Sequence, residues 1–193
     1  MKSIAVFCGS SMGNSPEFPV VTEQLGAFMG SKGIRLVYGG AQVGLMGVVA
    51  DAVLKAGGEA IGVLPGFLGS KEIAHHGLSE LIMVNSMHER KQKMSELCDG
   101  VITLPGGYGT MEELFEFITW AQLGLHSKPI GLLNVAGYYD ALVRLVDDMV
   151  KFELLKPINR EMLLISDNPE ELLQLMHDYQ APEVPKWINP ETT

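Results

Sequence analysis

Short apolar runs along this chain alternate with longer stretches in which apolar positions recur every three or four residues. The short runs are typical of buried strands and the longer stretches of amphipathic helices. Seven strands are predicted, at residues 3–8, 34–38, 59–64, 81–84, 100–103, 129–135 and 163–166. Helices are predicted between them, and a final helix over residues 169–179. This alternation favours the α/β class, with a doubly wound, Rossmann-like parallel sheet flanked by helices.

Three glycine-rich loops follow strands of this predicted sheet. They begin at Gly9, Gly39 and Gly106. Because the carboxyl ends of parallel strands lie at one edge, where such sheets bind ligands, we expect the three loops to meet there. The turn at residues 39–44 can also be interpreted as a plain strand-to-helix connection. Neither the dinucleotide fingerprint G-x-G-x-x-G after the first strand nor a P-loop is present.

The third of these loops carries the strongest signal. Residues 104–113, Leu-Pro-Gly-Gly-Tyr-Gly-Thr-Met-Glu-Glu, join the fifth strand to a helix, whose free N–H groups and dipole favour an anion. Gly106, Gly107 and Gly109 are expected to admit a ligand to the main chain and to tolerate positive φ. Thr110 is expected to cap the helix and to hydrogen-bond to a phosphate. The sequence predicts a phosphate-binding turn, the alternative being a tight turn whose glycines only serve the bend.

A basic cluster opens the helix before the fifth strand, at the same edge of the sheet. Residues 86–93 contain three of the 14 lysines and arginines of the chain. The guanidinium of Arg90 can bind phosphate in a bidentate manner, and the ammonium of Lys91 acts as a point charge. The cluster is a candidate contact for a phosphorylated ligand, with a solvated charged face as the alternative.

Two acids, Glu112 and Glu113, lie in the first turn of the helix after the glycines, where acids complement the helix dipole. Helical geometry points Glu112 away from the inner apolar stripe and places Glu113 at its flank, on the side of Trp120. A carboxylate at this flank is partly desolvated, which suits a catalytic group. Phe115 and Trp120 leave the stripe on opposite sides, so the helix needs further cover and we expect a homodimer.

Composition and charge restrict the partners. The chain of 193 residues is 47% hydrophobic and 19% charged. We expect one α/β domain over residues 1–180, followed by an extended, proline-containing tail over residues 181–193. The formal net charge of −9 argues against nucleic acid and against an anionic membrane surface. A local group of N–H donors and cations can still bind a small phosphorylated ligand.

The cysteines and histidines give no sign of a metal site. Cys8 and Cys98 lack metal or redox spacing, so we expect buried thiols in a reducing cell interior. The five histidines lack the spacing of a zinc site. With no signal-peptide pattern and no apolar run long enough to cross a bilayer, we expect a cytoplasmic protein without a metal.

Several motifs together carry a specific family resemblance. They are Cys-Gly-Ser-Ser at 8–11, Tyr-Gly-Gly at 38–40, Met-His-Glu-Arg-Lys at 87–91, Pro-Gly-Gly-Tyr-Gly-Thr-Met-Glu-Glu at 105–113 and Thr-Trp-Ala-Gln-Leu-Gly-Leu at 119–125. Over nearly its whole length the chain resembles the LOG ("Lonely Guy") family of cytokinin-activating phosphoribohydrolases. The resemblance implies hydrolysis of the N-glycosidic bond of an adenosine 5′-monophosphate, typically N6-substituted, to the free base and ribose 5-phosphate, without a cofactor.

The resemblance also implies roles for individual residues. The catalytic arginine and glutamate of the family fall on Arg90 and Glu113. Its nucleotide contacts fall on Lys91, Gly106, Gly107, Tyr108, Gly109 and Thr110, by position on Glu72 and Thr119, and more weakly on Gly9, Ser10 and Gly40. A carboxylate near the ribose stabilises the positive charge that develops there, and a cation assists the departing purine.

Two other functions remain open. One is a nucleosidase that acts on AMP or on nucleotides in general, in salvage. The other is a non-catalytic carrier of a nucleotide or of the molybdenum cofactor, because carriers share this fold and its glycine-rich edge. Arg90 and Glu113 discriminate between them, since a carrier does not need both. The sequence shows no pyridoxal-phosphate lysine context, so the lysine decarboxylase label given to similar sequences is not supported.

Overall fold

Seven parallel strands form the centre of the structure, a computed structural model in which residues 1–69 and 74–183 are described. The strands are β1 (Ser3–Phe7), β2 (Arg35–Tyr38), β3 (Ala60–Pro65), β4 (Glu80–Val84), β5 (Gly100–Thr103), β6 (Ile130–Leu133) and β7 (Leu163–Ser166). Their spatial order is β4-β3-β2-β1-β5-β6-β7, and every neighbouring pair is parallel. The predicted doubly wound parallel sheet is confirmed.

Helices connect these strands in the described part of the chain. They are α1 (Glu17–Ser31), α2 (Gly44–Lys55), α3 (Gly66–Gly69), α4 (Met87–Leu97), α5 (Tyr108–Gln122), α6 (Asp140–Lys151), α7 (Pro157–Arg160) and α8 (Pro169–Asp178), with a 3-10 turn at Val135–Gly137. The sequence did not predict α3, α7 or the 3-10 turn, because one helical turn is too short to show a period. The strand predicted at residues 129–135 ends at Leu133, because Asn134 leaves the extended conformation.

Both faces of the sheet are covered, which is why its central strands are mostly apolar. On one face α1, α2 and α8 bury Leu25, Val49 and Leu172, and on the other α4 and α5 bury Met94 and Phe117. No helix in the described residues has the length and apolarity needed to cross a membrane. Residues 181–183 have no regular structure, and the rest of the predicted tail lies outside the described residues.

The strand order reverses between β1 and β5, which pair directly with each other. From β1 to β4 the chain builds the sheet in one direction, and from β5 to β7 it builds in the other. The loops after β1 and β5 therefore diverge from a common point and leave a crevice, as at the ligand sites of other doubly wound sheets. The loops are in contact there: the N–H of Gly9 donates to the carbonyl of Pro105 at 3.0 Å, and the N–H of Leu45 donates to the carbonyl of Gly9 at 3.1 Å.

Candidate active site

A cavity of about 790 Å³ opens at this crevice, a size within the usual range for small-molecule sites. Its walls come from the loops after β1, β2, β3 and β5, from the first turns of α2 and α4 and from the first two turns of α5. The predicted site residues that line it are Gly9, Ser10, Arg90, Gly107, Tyr108, Gly109, Thr110 and Glu113. The three glycine-rich loops therefore meet as the sequence predicts.

Two backbone carbonyls hold the guanidinium of Arg90 at the floor of the cavity. Nε donates to the carbonyl of Val63 at 3.1 Å, and Nη2 donates to the carbonyl of Gly39 at 3.1 Å. Arg90 is 9% exposed. A Cβ on Gly39 would lie 2.0 Å from Nη2, so only glycine at this position leaves room for the guanidinium. The ends of β2 and β3 thus fix a buried cation in the cavity wall.

Two side-chain hydrogen bonds cap the start of the helix that carries Arg90. The N–H of Glu89 donates to Oγ of Ser86 at 3.1 Å, and the N–H of Asn85 donates to Oε2 of Glu89 at 2.7 Å. These two bonds fix where α4 begins and therefore where Arg90 meets the cavity.

Glu113 lines the same cavity from the second turn of α5. Burial raises the pKa of its carboxyl group to about 7, while the positive charge of Arg90 opposes the rise. No hydrogen bond to this carboxyl group comes from the described residues. Cys8 also lines the cavity, and burial together with the nearby Glu113 raises the pKa of its thiol, so the sulfur stays protonated. The site therefore holds a fixed cation and a buried carboxyl group in one cavity.

The turn before α5 presents unpaired donors to the same cavity. Among the described residues, no acceptor bonds to the N–H groups of residues 106–110. The helix begins at Tyr108 with Gly107 as its N-cap, so the expectation that Thr110 caps it is wrong. Thr110 is instead buried against Gly106, where a Cβ would lie 2.1 Å from the threonine Oγ1. The positive dipole end and free amides suit an anion.

The three glycines of this turn are explained by the space that a missing side chain leaves and not by an unusual backbone conformation. None of Gly106, Gly107 and Gly109 has positive φ, which corrects the expectation from sequence. A Cβ on Gly107 or Gly109 would meet nothing within 4 Å, because both line the open cavity. A side chain at either position would occupy the volume that a ligand needs.

Lys91, adjacent to Arg90, does not line the cavity. Its Nζ pairs with Glu112 and, at 2.7 Å, with Oε2 of Glu116. Burial alone would lower the pKa of Lys91, but the hydrogen bonds to these two acids raise it overall. The structure therefore places Lys91 as a tie between α4 and α5, and the phosphate contact predicted for it stays a prediction.

Four other predicted contacts lie apart from the cavity or outside the described residues. Gly106 lines a smaller, adjacent cavity. Thr119 is exposed on α5, and its hydroxyl donates to the carbonyl of Phe115 at 2.7 Å. Gly40 has φ of 76°, and a Cβ there would face Leu64 and not the ligand space. Glu72 lies outside the described residues.

The sequence did not predict the apolar wall of the cavity. Met46 and Met87, in the first turns of α2 and α4, line it together with Val43 and Leu64. Apolar residues at these positions are equally typical of a core, so the sequence carried no separate signal for the wall. The wall suits a planar base or an apolar substituent. The described residues contain no group of three His, Cys, Asp or Glu side chains that could hold a metal ion.

The described residues combine a doubly wound sheet with unpaired amides, a buried arginine and a buried carboxyl group at its switch point, as in α/β proteins that bind phosphorylated ligands. A family profile described as "Possible lysine decarboxylase" matches residues 46–176. Cytokinin riboside 5′-monophosphate phosphoribohydrolase LOG1 of Arabidopsis thaliana is 45% identical over 178 residues, which are 92% of this chain and 84% of that protein. LOG7 of the same plant is 45% identical over 179 residues, or 93% and 82% of the two chains. The chain belongs to the LOG family of cytokinin riboside 5′-monophosphate phosphoribohydrolases.

Solved structures of molybdenum cofactor proteins share the fold. The molybdenum cofactor binding protein from Rippkaea orientalis has a TM-score of 0.67 and 24% identity, over 91% of this chain and 94% of that one. The molybdenum cofactor carrier protein from Chlamydomonas reinhardtii has a TM-score of 0.66 and 16% identity, over 91% and 95%. At such identities the likeness shows the fold alone.

Proposed function

We propose that this protein hydrolyses the N-glycosidic bond of an N6-substituted adenosine 5′-monophosphate, releasing the free base and ribose 5-phosphate. One observation carries the proposal: buried Arg90 and buried Glu113 face the same cavity, directly beside the unpaired amides before α5. The Arabidopsis relatives, named as phosphoribohydrolases of cytokinin riboside 5′-monophosphates, support the choice of substrate.

In this reaction each group of the site has one task. The amides of residues 107–110 and the Thr110 hydroxyl bind the 5′-phosphate and so fix the sugar. As the C1′–N9 bond breaks, positive charge grows on the ribose, and the carboxylate of Glu113 stabilises it and orients the attacking water. The electron pair of the bond leaves with the purine, where Arg90 stabilises the negative charge. Water supplies the hydroxyl group at C1′ and the proton that neutralises the base.

The experiment that tests the proposal compares two substrates. Purified protein is incubated with AMP and with isopentenyladenosine monophosphate, and the released base and ribose 5-phosphate are measured by chromatography. We expect release from both, faster from the isopentenyl substrate because the apolar wall at Met46 and Met87 receives the substituent. Equal rates with both would support a salvage nucleosidase, and no release from any nucleoside monophosphate would support a carrier.

We further propose that the active protein is a cytoplasmic homodimer assembled through the layer of α5 and α6. Large apolar side chains on or directly after these helices are exposed: Phe115 by 37%, Leu145 by 51%, Phe152 by 66% and Leu154 by 81%. A second copy would remove this apolar surface from water. Both cysteines are free and buried, which supports a reducing compartment.

A further inference from the structure

Two adjacent tyrosines before α6 reach back to the turn that precedes α5. The hydroxyl of Tyr138 donates to the carbonyl of Gly106 at 2.6 Å, and the hydroxyl of Tyr139 donates to the carbonyl of Leu104 at 2.6 Å. These contacts join segments more than 30 positions apart in the chain, since the first spans 32 residues and the second 35. Neither tyrosine lines the main cavity.

The carbonyl between these two, that of Pro105, accepts the N–H of Gly9 at 3.0 Å. Three consecutive carbonyls of the turn are thus each held by a separate donor. In a trans peptide the C=O and N–H groups point in opposite directions, and the described residues have no cis bond. Holding the Gly106 carbonyl toward Tyr138 therefore turns the N–H of Gly107 away from Tyr138. Gly107 lines both the main cavity and a smaller, adjacent one of about 270 Å³, whereas Tyr138 lines only the smaller one.

The segment that delivers the tyrosines is conformationally strained. Ala136 has φ of 53° and Gly137 has φ of 68°, both in the left-handed region within the 3-10 turn Val135–Gly137. For alanine this conformation is costly and persists only where the surroundings enforce it. The side chain of Asn134 helps to enforce it, because its Oδ1 accepts the N–H of Tyr139 at 2.7 Å.

We propose that Tyr138 and Tyr139 are positioning residues that aim the backbone amides of the turn at the 5′-phosphate of the substrate. The inference rests on the proposed function, in which this turn binds that phosphate. Each hydroxyl acts through a carbonyl and not on the reacting atoms. Tyr138 is 45% exposed, so its hydroxyl can be removed without opening the core, whereas Tyr139 is buried and contributes to folding as well.

The test uses Tyr138→Phe and compares ligands with and without a phosphate. We expect the dissociation constant for AMP, measured by calorimetry, to rise about 3- to 10-fold, the factor for one neutral hydrogen bond. The dissociation constant for adenosine should be unchanged. Tyr139→Phe should show the same selectivity together with a lower melting temperature. Tyr179→Phe is the matched control, because the Tyr179 hydroxyl has no hydrogen-bond partner among the described residues, and it should leave both constants unchanged.

The outcomes separate this inference from the hydrolase proposal. An unchanged AMP affinity in Tyr138→Phe, or an equal loss for AMP and adenosine, would overturn the positioning role even if adenine release is normal. Selective loss of AMP affinity would support it even if the wild-type protein releases no adenine, in which case the hydrolase proposal alone would fail.

Discussion

At the residue scale, three acids close together on α5 have different surroundings. Glu112 and Glu116 both pair with Lys91, and neither is fully buried. Glu113 is 8% exposed, and its raised pKa of about 7 comes chiefly from burial, against the charge of Arg90. A carboxyl group with such a pKa can change between acid and carboxylate near neutral pH, as general acid–base catalysis requires.

Replacement of Glu113 by glutamine separates binding from chemistry. The amide fits the same space but cannot carry the negative charge that stabilises the ribose. We expect Glu113→Gln to bind AMP normally by calorimetry and to lose turnover by at least ~10²-fold, the scale for one positioned catalytic group. Exposed Glu161→Gln is the control and should keep full turnover. Near-normal adenine release by Glu113→Gln would exclude the catalytic role.

The same residue predicts a pH dependence of stability. Folding raises the pKa of Glu113 from 4.5 to about 7, so the folded state binds the extra proton. The resulting stabilisation is fully present below pH 4.5 and is lost as pH rises through 7. Because glutamine does not titrate, the free energy of unfolding of Glu113→Gln relative to wild type should rise by up to about 3 kcal/mol between pH 4.5 and 8. Urea denaturation at several pH values measures this difference, and a flat difference would contradict it.

The sequence predicted the location of Arg90 and Lys91 but not the partners of their side chains. Both were candidate phosphate contacts, because both lie at the correct end of α4. Adjacent residues on a helix point about 100° apart, so they meet different partners. Arg90 reaches the carbonyl of Gly39, while Lys91 reaches the acids of α5. Those partners are remote in the sequence, and only the packing of α4 against its neighbours decides between them.

At the scale of elements, the sequence predicted the strands and the longer helices. It did not predict the residue at which α5 begins. Apolar runs and helical periods extend over many residues, so they locate elements well. The start of α5 depends on Gly107 in extended conformation, three positions before Thr110. Threonine is a common N-cap and glycine a weaker one, which favoured the wrong residue. The residue types of the turn do not reveal that Thr110 packs against Gly106, because that contact exists only in the folded turn.

The turn after β2 gives a prediction at this scale. In Gly39→Ala the new Cβ would meet Nη2 of Arg90 at 2.0 Å, and the flexible end of the arginine would be displaced. We expect a melting temperature close to that of wild type and a loss of turnover of about 10²-fold, as for removal of one catalytic group. Gly66→Ala, after β3, is the matched control, because its Cβ would find its nearest neighbour at 3.9 Å. Full activity of Gly39→Ala would show that the observed position of Arg90 is not required.

At the scale of the whole molecule, the two faces of the sheet differ in what they leave uncovered. The layer of α1, α2 and α8 packs closely, and α1 lies against both of its neighbours. The exposed large apolar side chains on its helices are the aliphatic Val20 and Leu175, whereas the layer of α5 and α6 leaves two phenylalanines exposed, Phe115 and Phe152. The sequence predicted cover for this side from the pattern of α5 alone. The contribution of α6 appears only in the fold, because the exposure of a residue depends on its neighbours.

This difference predicts the effect of a charge on each layer. Phe115→Glu should convert a dimer into a monomer at micromolar concentration, because a buried unpaired carboxylate is costly at an interface. Val20→Glu, at an exposed position on α1, should leave the dimer intact. Light scattering coupled to size-exclusion chromatography measures the mass of both. A wild-type monomer, or two variants that behave alike, would rule out assembly through this layer.

Because the strand order reverses between β1 and β5, the cavity is complete only when the segments before and after β5 are both present. The cavity takes Gly39 and Arg90 from the segments before β5, and Thr110 and Glu113 from the segment after it. Two fragments divided between α4 and β5 would each carry half of the machinery and neither could turn over substrate. Adenine release would return only when β5 inserts beside β1, so a split version of this protein would report the docking of its halves by its own enzymatic signal.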